Sequence, residues 1–215
     1  MHAGHFAVGL TVKRIEPRIS LGTAVLAAVL ADLLFFIFSI AGIERAGFLS
    51  DVATNHFFGY NIAYSHSLFM DVVWAALFAV AYLLRRRYPL GAWILFAAVV
   101  SHWFLDVLSH RPDMPLTPAA PVVLGFGLWN SPLATLLVEG GFWLLAIILY
   151  VRGTRPKNRT GSYAFWIGIA LLTFFGAVNV LGTKPPPSPV QAGIASLIYF
   201  SLVVAWAYWM NRLRT

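Results

Sequence analysis

The 215-residue chain has no cysteine. That excludes disulfides and thiolate metal sites, so any metal must be held by histidine and carboxylate. Charge is also scarce: Asp, Glu, Lys and Arg make up 11% of residues, against about a quarter in an ordinary soluble domain. Acid is the scarcer sign, with 8 acidic residues against 15 basic ones. What replaces charge is apolar surface: the chain is 60% hydrophobic with a mean hydropathy of +0.77. Water is therefore not its main solvent, and the chain reads as an integral membrane protein. The net charge of +7 is that of membrane-protein loops, and no nucleic-acid partner is expected. No cleavable signal is expected either. The first long apolar run already carries Asp32 and ends in Ile40-Ala-Gly without a small-x-small pattern.

Six apolar runs are long enough to cross about 30 Å of hydrocarbon, at approximately 21–41, 66–84, 90–109, 132–151, 163–182 and 191–210. Residues 6–12 are apolar but too short to span, and are expected to form a half-helix entering from the side of Lys13 and Arg14. The expected fold is an all-α, polytopic membrane protein: about six transmembrane helices plus this short N-terminal half-helix. It is expected to be one domain over 1–215, with the polar groups in 1–141 and mainly structural helices in 142–215. Twelve of the 15 basic residues fall before span one, between spans two and three, between spans four and five, or after span six. Only Arg45, Arg111 and Lys184 fall on the other side. Both termini are thus expected to be cytoplasmic, with a multi-pass placement in a bacterial inner membrane. The loop 42–65 carries Asp51, Asn55, His56, Phe57 and Phe58 and is expected to form an interfacial helix or lid. The Pro-rich 183–189 reads as a stiff connector.

The most polar stretch inside an apolar run is Ser101-His-Trp-Phe-Leu-Asp-Val-Leu-Ser-His-Arg-Pro-Asp113. His102, Asp106 and His110 recur every four residues, which aligns them along one helix face. Asp113 lies beyond Pro112, where the helix should stop. Ionisable groups at membrane depth are costly and mark function by default. A rise of about 1.5 Å per residue puts Asp32, His102, Asp106 and Glu139 roughly 6–13 Å below the outer ends of their spans. A half-helix rising from Lys13 brings His5 to the same layer. His66 opens span two. Mixed His and carboxylate donors suit a divalent ion, zinc first, and a cation would compensate the buried carboxylates. Plainer readings stand beside this one. His102 and Asp106 can simply bond each other, His66 can be an interfacial histidine, and Glu139 beside Gly140-Gly141 can bond a neighbouring helix. Asp71, off the face of His66, is structural or sits behind the ligands. His2 and His56 are ordinary.

These positions carry a resemblance. The chain resembles the bacterial inner-membrane family of membrane-bound metal-dependent hydrolases over residues 5–113. That family's His-x-x-x-Gly appears as His5-Phe-Ala-Val-Gly9, followed by the basic Lys13-Arg-Ile-Glu-Pro17 and an acidic Ala31-Asp32. Its Thr-His-Ser appears as Ser65-His66-Ser67, and its Ser-His-x-x-x-Asp as Ser101-His102 through Asp106. Two positions depart from the pattern: Leu33 follows Asp32 where the family often has a second aspartate, and Tyr64 stands where it often has Arg. A more distant likeness is to zinc-dependent phospholipase C, which also uses a His-x-x-x-Asp step and implies phosphoester hydrolysis.

Taken together, the residues and the resemblance lead to an expected metal-dependent hydrolase acting on an ester or phosphoester, with a membrane lipid as one possible substrate, at the outer face. His5, Asp32, His66, His102 and Asp106 would hold the metal, which activates water. Glu139 would be a further ligand or general base, His110 or Asp113 would protonate the leaving group, and Arg111 would meet a phosphate. Two other classes remain open: a transporter or permease with a buried His/Asp/Glu relay, and a non-enzymatic membrane scaffold. Against transport, the chain after Gly141 contains no acid and no histidine.

Overall fold

The computed structural model describes residues 1–48, 53–54, 57–119, 122–182 and 188–215, and of residues 57–60 the backbone alone. Its helices are α1 (His2–Ile15), α2 (Leu21–Ala28), α3 (Leu30–Ile40), α4 (Leu68–Arg86), α5 (Pro89–Ser109), α6 (Pro132–Gly153), α7 (Arg159–Leu181) and α8 (Pro189–Leu213). Two small antiparallel hairpins join them: β1 (Arg45–Phe48) with β2 (Phe57–Asn61), and β3 (Met114–Pro115) with β4 (Val123–Leu124).

The helix ends follow local chemistry. Ser20, Ser67, Ser131, Asn158 and Ser188 cap α2, α4, α6, α7 and α8, each accepting a backbone N–H of the first turn. Proline begins α5, α6 and α8, where its missing N–H costs nothing.

Five helices, α4 to α8, are long and apolar enough to cross a membrane. Their outward faces are apolar, with Leu84, Trp93, Leu137 and Leu202 all exposed, which marks lipid rather than water as their solvent. The apolar length expected as one straight span over 21–41 is instead two helices. α2 and α3 meet at 57° across Val29, whose φ of −110° and ψ of 15° leave the helical region. No proline or glycine lies at this break; a side chain from α5 takes its place there, as described below. Counting the bent pair as one span makes six.

The N-terminal element also differs from expectation. α1 runs over 14 residues, about 21 Å at 1.5 Å per residue, and it is packed inside the bundle rather than against lipid. His5, Phe6, Leu10 and Val12 are buried in it. Small residues permit this approach. A Cβ at Gly9 would lie 3.0 Å from Val25 Cα and 2.7 Å from its Cγ2, so only glycine lets α1 sit this close to α2. The 42–65 loop forms no helix among the described residues. It is the β1–β2 hairpin, reached through Gly42 at φ +73° and rich in strand-favouring aromatics. Asp51, Asn55 and His56 lie outside the described residues, as do the side chains of Phe57 and Phe58 and most of the Pro-rich connector with Lys184.

Basic segments far apart in sequence meet at one end of the bundle. Arg18 donates to the Tyr88 hydroxyl, Arg14 packs on Gly153, Leu21 N–H donates to Asn211 Oδ1 (3.0 Å), and Lys157 donates to the Arg212 carbonyl (3.0 Å). The main apolar core draws on α1, α2, α3, α5, α6, α7 and α8 together.

Candidate metal centre

α5 supplies the middle of the site. His102 and Asp106, one turn apart, face inward and are 1% and 2% exposed. His102 Nδ1 lies 2.9 Å from the Ala28 carbonyl, the last carbonyl before the α2–α3 break. The histidine thus donates to a backbone acceptor released where the helix bends, which accounts for the bend without proline. In the neutral ring a proton on Nδ1 leaves Nε2 as a lone pair. That Nε2 is buried with no hydrogen-bond partner among the described residues. It lies 3.2 Å from Asp106 Oδ2 and 3.9 Å from Asp32 Oδ1.

Asp32 enters from α3, two residues beyond the first residue of that helix. His66 enters from the turn before α4: Ser67 caps the helix and also donates to the Ala63 carbonyl (2.6 Å), which holds the preceding histidine in place. His66 Nε2 lies 3.8 Å from Asp32 Oδ1 and 3.7 Å from Asp106 Oδ2. His5 comes from α1. Its ring stacks on His102 with centroids 3.7 Å apart and planes 6° from parallel, and its Nε2 lies 3.0 Å from Asp106 Oδ1. The Met1 α-amino group contacts the same Asp106 oxygen. Asp106 is thus shared: Oδ1 meets α1, while Oδ2 faces His66, His102 and His110.

Two overlapping donor sets result, His5 with Asp32 and His102, and His66 with His102 and Asp106. In each, one donor atom per residue lies within 4.8 Å of the others. Among His66, His102, Asp32 and Asp106, the His–carboxylate separations run from 3.2 to 3.9 Å. Donors around a tetrahedral ion with bonds of about 2.0–2.1 Å stand about 3.3 Å apart. The donor chemistry and the spacing both fit a divalent ion.

His110 ends α5 as its C-cap. Its Nδ1 lies 2.9 Å from Asp113 Oδ1 and its Nε2 3.8 Å from Asp106 Oδ2. The α5 end is held by the following loop: Phe126 N–H donates to the Val107 carbonyl (2.8 Å) and Gly127 N–H to the His110 carbonyl (2.6 Å). Trp129 packs on His110 with ring centroids 4.3 Å apart. Arg111 lies next in the chain at the rim, half-buried.

Glu139 stands apart from both donor sets. Its Oε2 accepts the Ala3 N–H (3.0 Å) and its Oε1 the Trp129 indole N–H (3.1 Å). A carboxylate on the free N–H groups of the first turn of α1 is a favourable helix-end contact, and through it Glu139 holds both α1 and the tryptophan beside His110. Asp71 sits behind His102: its Oδ2 accepts the Trp103 N–H (3.2 Å), while its buried Oδ1 has no partner among the described residues. His2 is buried among Phe6, Tyr199 and Phe200.

Sequence reasoning passed over Glu44, and it placed Ser65 in the Thr-His-Ser motif without giving it a role. Glu44 is 1% exposed and accepts from Tyr64 N (2.8 Å), Ser65 N (2.9 Å) and Ser65 Oγ (2.6 Å). Ser65 Oγ in turn lies 2.7 Å from His66 Nδ1. For Glu44 the one signal available was a lone acid in an outer loop, with nothing to tie it to a histidine 22 residues on.

No protein-family profile, no curated protein and no solved structure matches this chain.

Proposed function

We propose that this chain is a multi-pass membrane protein that binds a divalent metal, zinc in the first instance, and hydrolyses an ester or phosphoester at the outer face of the membrane. One observation carries the metal reading. His102 donates its Nδ1–H to a backbone carbonyl, so in the neutral ring the Nε2 lone pair faces the carboxylates of buried Asp106 and half-buried Asp32. Converging lone pairs repel one another unless a cation lies among them. Fixing one ring nitrogen on a carbonyl so that the other is free is the usual arrangement of a metal-binding histidine.

A bound ion supplies Lewis acidity and brings the pKa of water toward neutrality. The chain's own groups do the rest. His5, Asp32, His66, His102 and Asp106 would hold the ion. Asp113 holds the proton on His110 Nδ1, so His110 Nε2 is the atom that exchanges protons at the rim, and it is the group placed to protonate a leaving oxygen. Arg111, adjacent in the chain, is the cation for a phosphate. Glu139 acts by position, as the clamp on α1 and Trp129. A membrane lipid of the outer leaflet fits the apolar surroundings of the site, and the resemblance to membrane-bound metal-dependent hydrolases points to the same reaction class. The excess of basic residues at one end of the bundle favours cytoplasmic termini in a bacterial inner membrane.

The test is release of headgroup phosphate or free acid from phospholipid vesicles and soluble phosphoesters by the purified protein, with zinc and with chelator. Zinc-dependent product release that is lost in His110→Ala supports the reading. Uptake of solute into liposomes without hydrolysis would replace it with transport.

A further inference from the structure

We propose that Glu44 is a positioning residue. Acting through the Ser65 hydroxyl, it holds His66 in the tautomer whose proton is on Nδ1, leaving Nε2 as a lone pair aimed into the site. The inference rests on the metal reading for its purpose and on hydrogen-bond direction for its content.

Glu44 lies between α3 and β1, outside every span. As a carboxylate it can only accept. Its Oε1 is taken by the backbone N–H groups of Tyr64 and Ser65, at 2.8 and 2.9 Å. Its Oε2, 2.6 Å from Ser65 Oγ, therefore takes the hydroxyl hydrogen. With that hydrogen committed, Ser65 Oγ has only lone pairs to offer His66 Nδ1 at 2.7 Å, and Nδ1 must be the donor. In the neutral, metal-binding ring Nε2 is then the lone pair, and it is this atom that lies 3.8 Å from Asp32 Oδ1 and 3.7 Å from Asp106 Oδ2. The aromatic neighbours of the ring among the described residues are Phe35 and His102, both edge-on, and neither contact fixes a ring proton. The order Glu44–Ser65–His66 thus matches, with one hydroxyl inserted, the carboxylate that orients a metal-binding histidine from behind.

Glu44→Gln discriminates this role from simple packing. The amide oxygen can still accept both backbone N–H groups, so the corner between α3 and β1 is retained. The amide NH2, however, donates to Ser65 Oγ, and the hydroxyl hydrogen turns toward His66 Nδ1. The chain of bonds reverses and the proton moves to Nε2.

The experiment uses the full chain in detergent micelles, labelled with 15N-histidine and stripped of metal by chelator. His66 is assigned by the loss of its signals in His66→Gln, and two-bond 1H–15N correlations report which nitrogen bears the proton. The wild-type protein should show His66 protonated on Nδ1, Glu44→Gln should show it on Nε2, and Ser65→Ala should lose the preference. Zinc affinity should fall about 10–100-fold in Glu44→Gln. A wild-type His66 protonated on Nε2 overturns the proposal even if no variant folds. So does a tautomer that Glu44→Gln leaves unchanged. The expected tautomers in a chain that takes up no zinc would uphold the relay and overturn the metal reading.

Discussion

Residues 142–215 contain no acid and no histidine, and α7 and α8 run unbroken for 23 and 25 residues. Residues 1–141 contain all 8 acids and all 6 histidines, and here the first span is broken at Val29. The two properties belong together. An uninterrupted membrane helix satisfies its own backbone, whereas a broken one releases backbone groups that polar side chains can meet. Every member of the cluster sits at or near an interruption. His5 lies in the first turns of α1, Asp32 just past the Val29 break and His66 just before the α4 cap, while His102 and Asp106 occupy the last two turns of α5. At the Val29 break the released Ala28 carbonyl orients His102, while the side chains of Ser65 and Asp113 meet His66 and His110. The polar cluster of this protein gathers where helices break or end, and the intact helices frame it.

The largest effect expected from this division is on metal content. His102→Ala and Asp106→Ala should each abolish stoichiometric zinc, whereas the lipid-facing Leu202→Ala in α8 should leave it unchanged, as read by elemental analysis of purified protein. Metal retained by both site variants would remove His102 and Asp106 as ligands.

A pair of glycines sharpens the comparison at smaller amplitude. Gly9→Ala forces a Cβ against the Val25 backbone and should push α1 off α2, at a cost of about 1–3 kcal/mol. Because α1 carries His5, zinc affinity should fall as well. Gly168→Ala meets the Trp206 indole in the α7–α8 contact and should cost a similar amount of stability while leaving zinc affinity alone. Thermal unfolding and zinc titration on the two variants separate these effects. Equal zinc loss in both would dissolve the distinction between site and frame.

The smallest effect lies at the basic end. The Glu16 carboxyl is held below the usual carboxylate range, chiefly by the Tyr88 hydroxyl (2.6 Å) and then by the Arg18 N–H. A depressed folded pKa contributes stability that is present above the unfolded value of about 4.3 and lost as pH falls through the folded one. Glu16→Gln should therefore flatten the acid side of the stability–pH profile slightly, without changing metal content. Thermal melts from pH 7 downward check this.

Much of this division can be read from the chain itself. Apolar runs of about 20 residues define spans, because a helix in lipid must be long and continuous. The four-residue spacing of His102 and Asp106 defines a face, because the helical period is local. What could not be read is whatever depends on contacts between distant segments. The Val29 break has no proline or glycine to announce it, since its cause is a histidine 73 residues away. α1 sinks among α2, α5 and α6 where Gly9 admits the Val25 backbone, and burial of a small residue leaves no strong hydropathy signal. Glu139 is legible as a polar intruder in α6, but its engagement with Ala3 and Trp129 is not. The Glu44–Ser65–His66 chain crosses a hairpin, where no periodicity connects one end to the other.

The most direct test of the central claim is the metal content of the wild-type protein, purified in detergent after zinc-replete growth and dialysed without chelator. The account predicts at least one divalent ion per chain, released by chelator and rebound on titration. A folded protein with no bound metal and no zinc uptake would contradict it, leaving His102 as an imidazolium paired with Asp32 and Asp106 in a purely structural cluster.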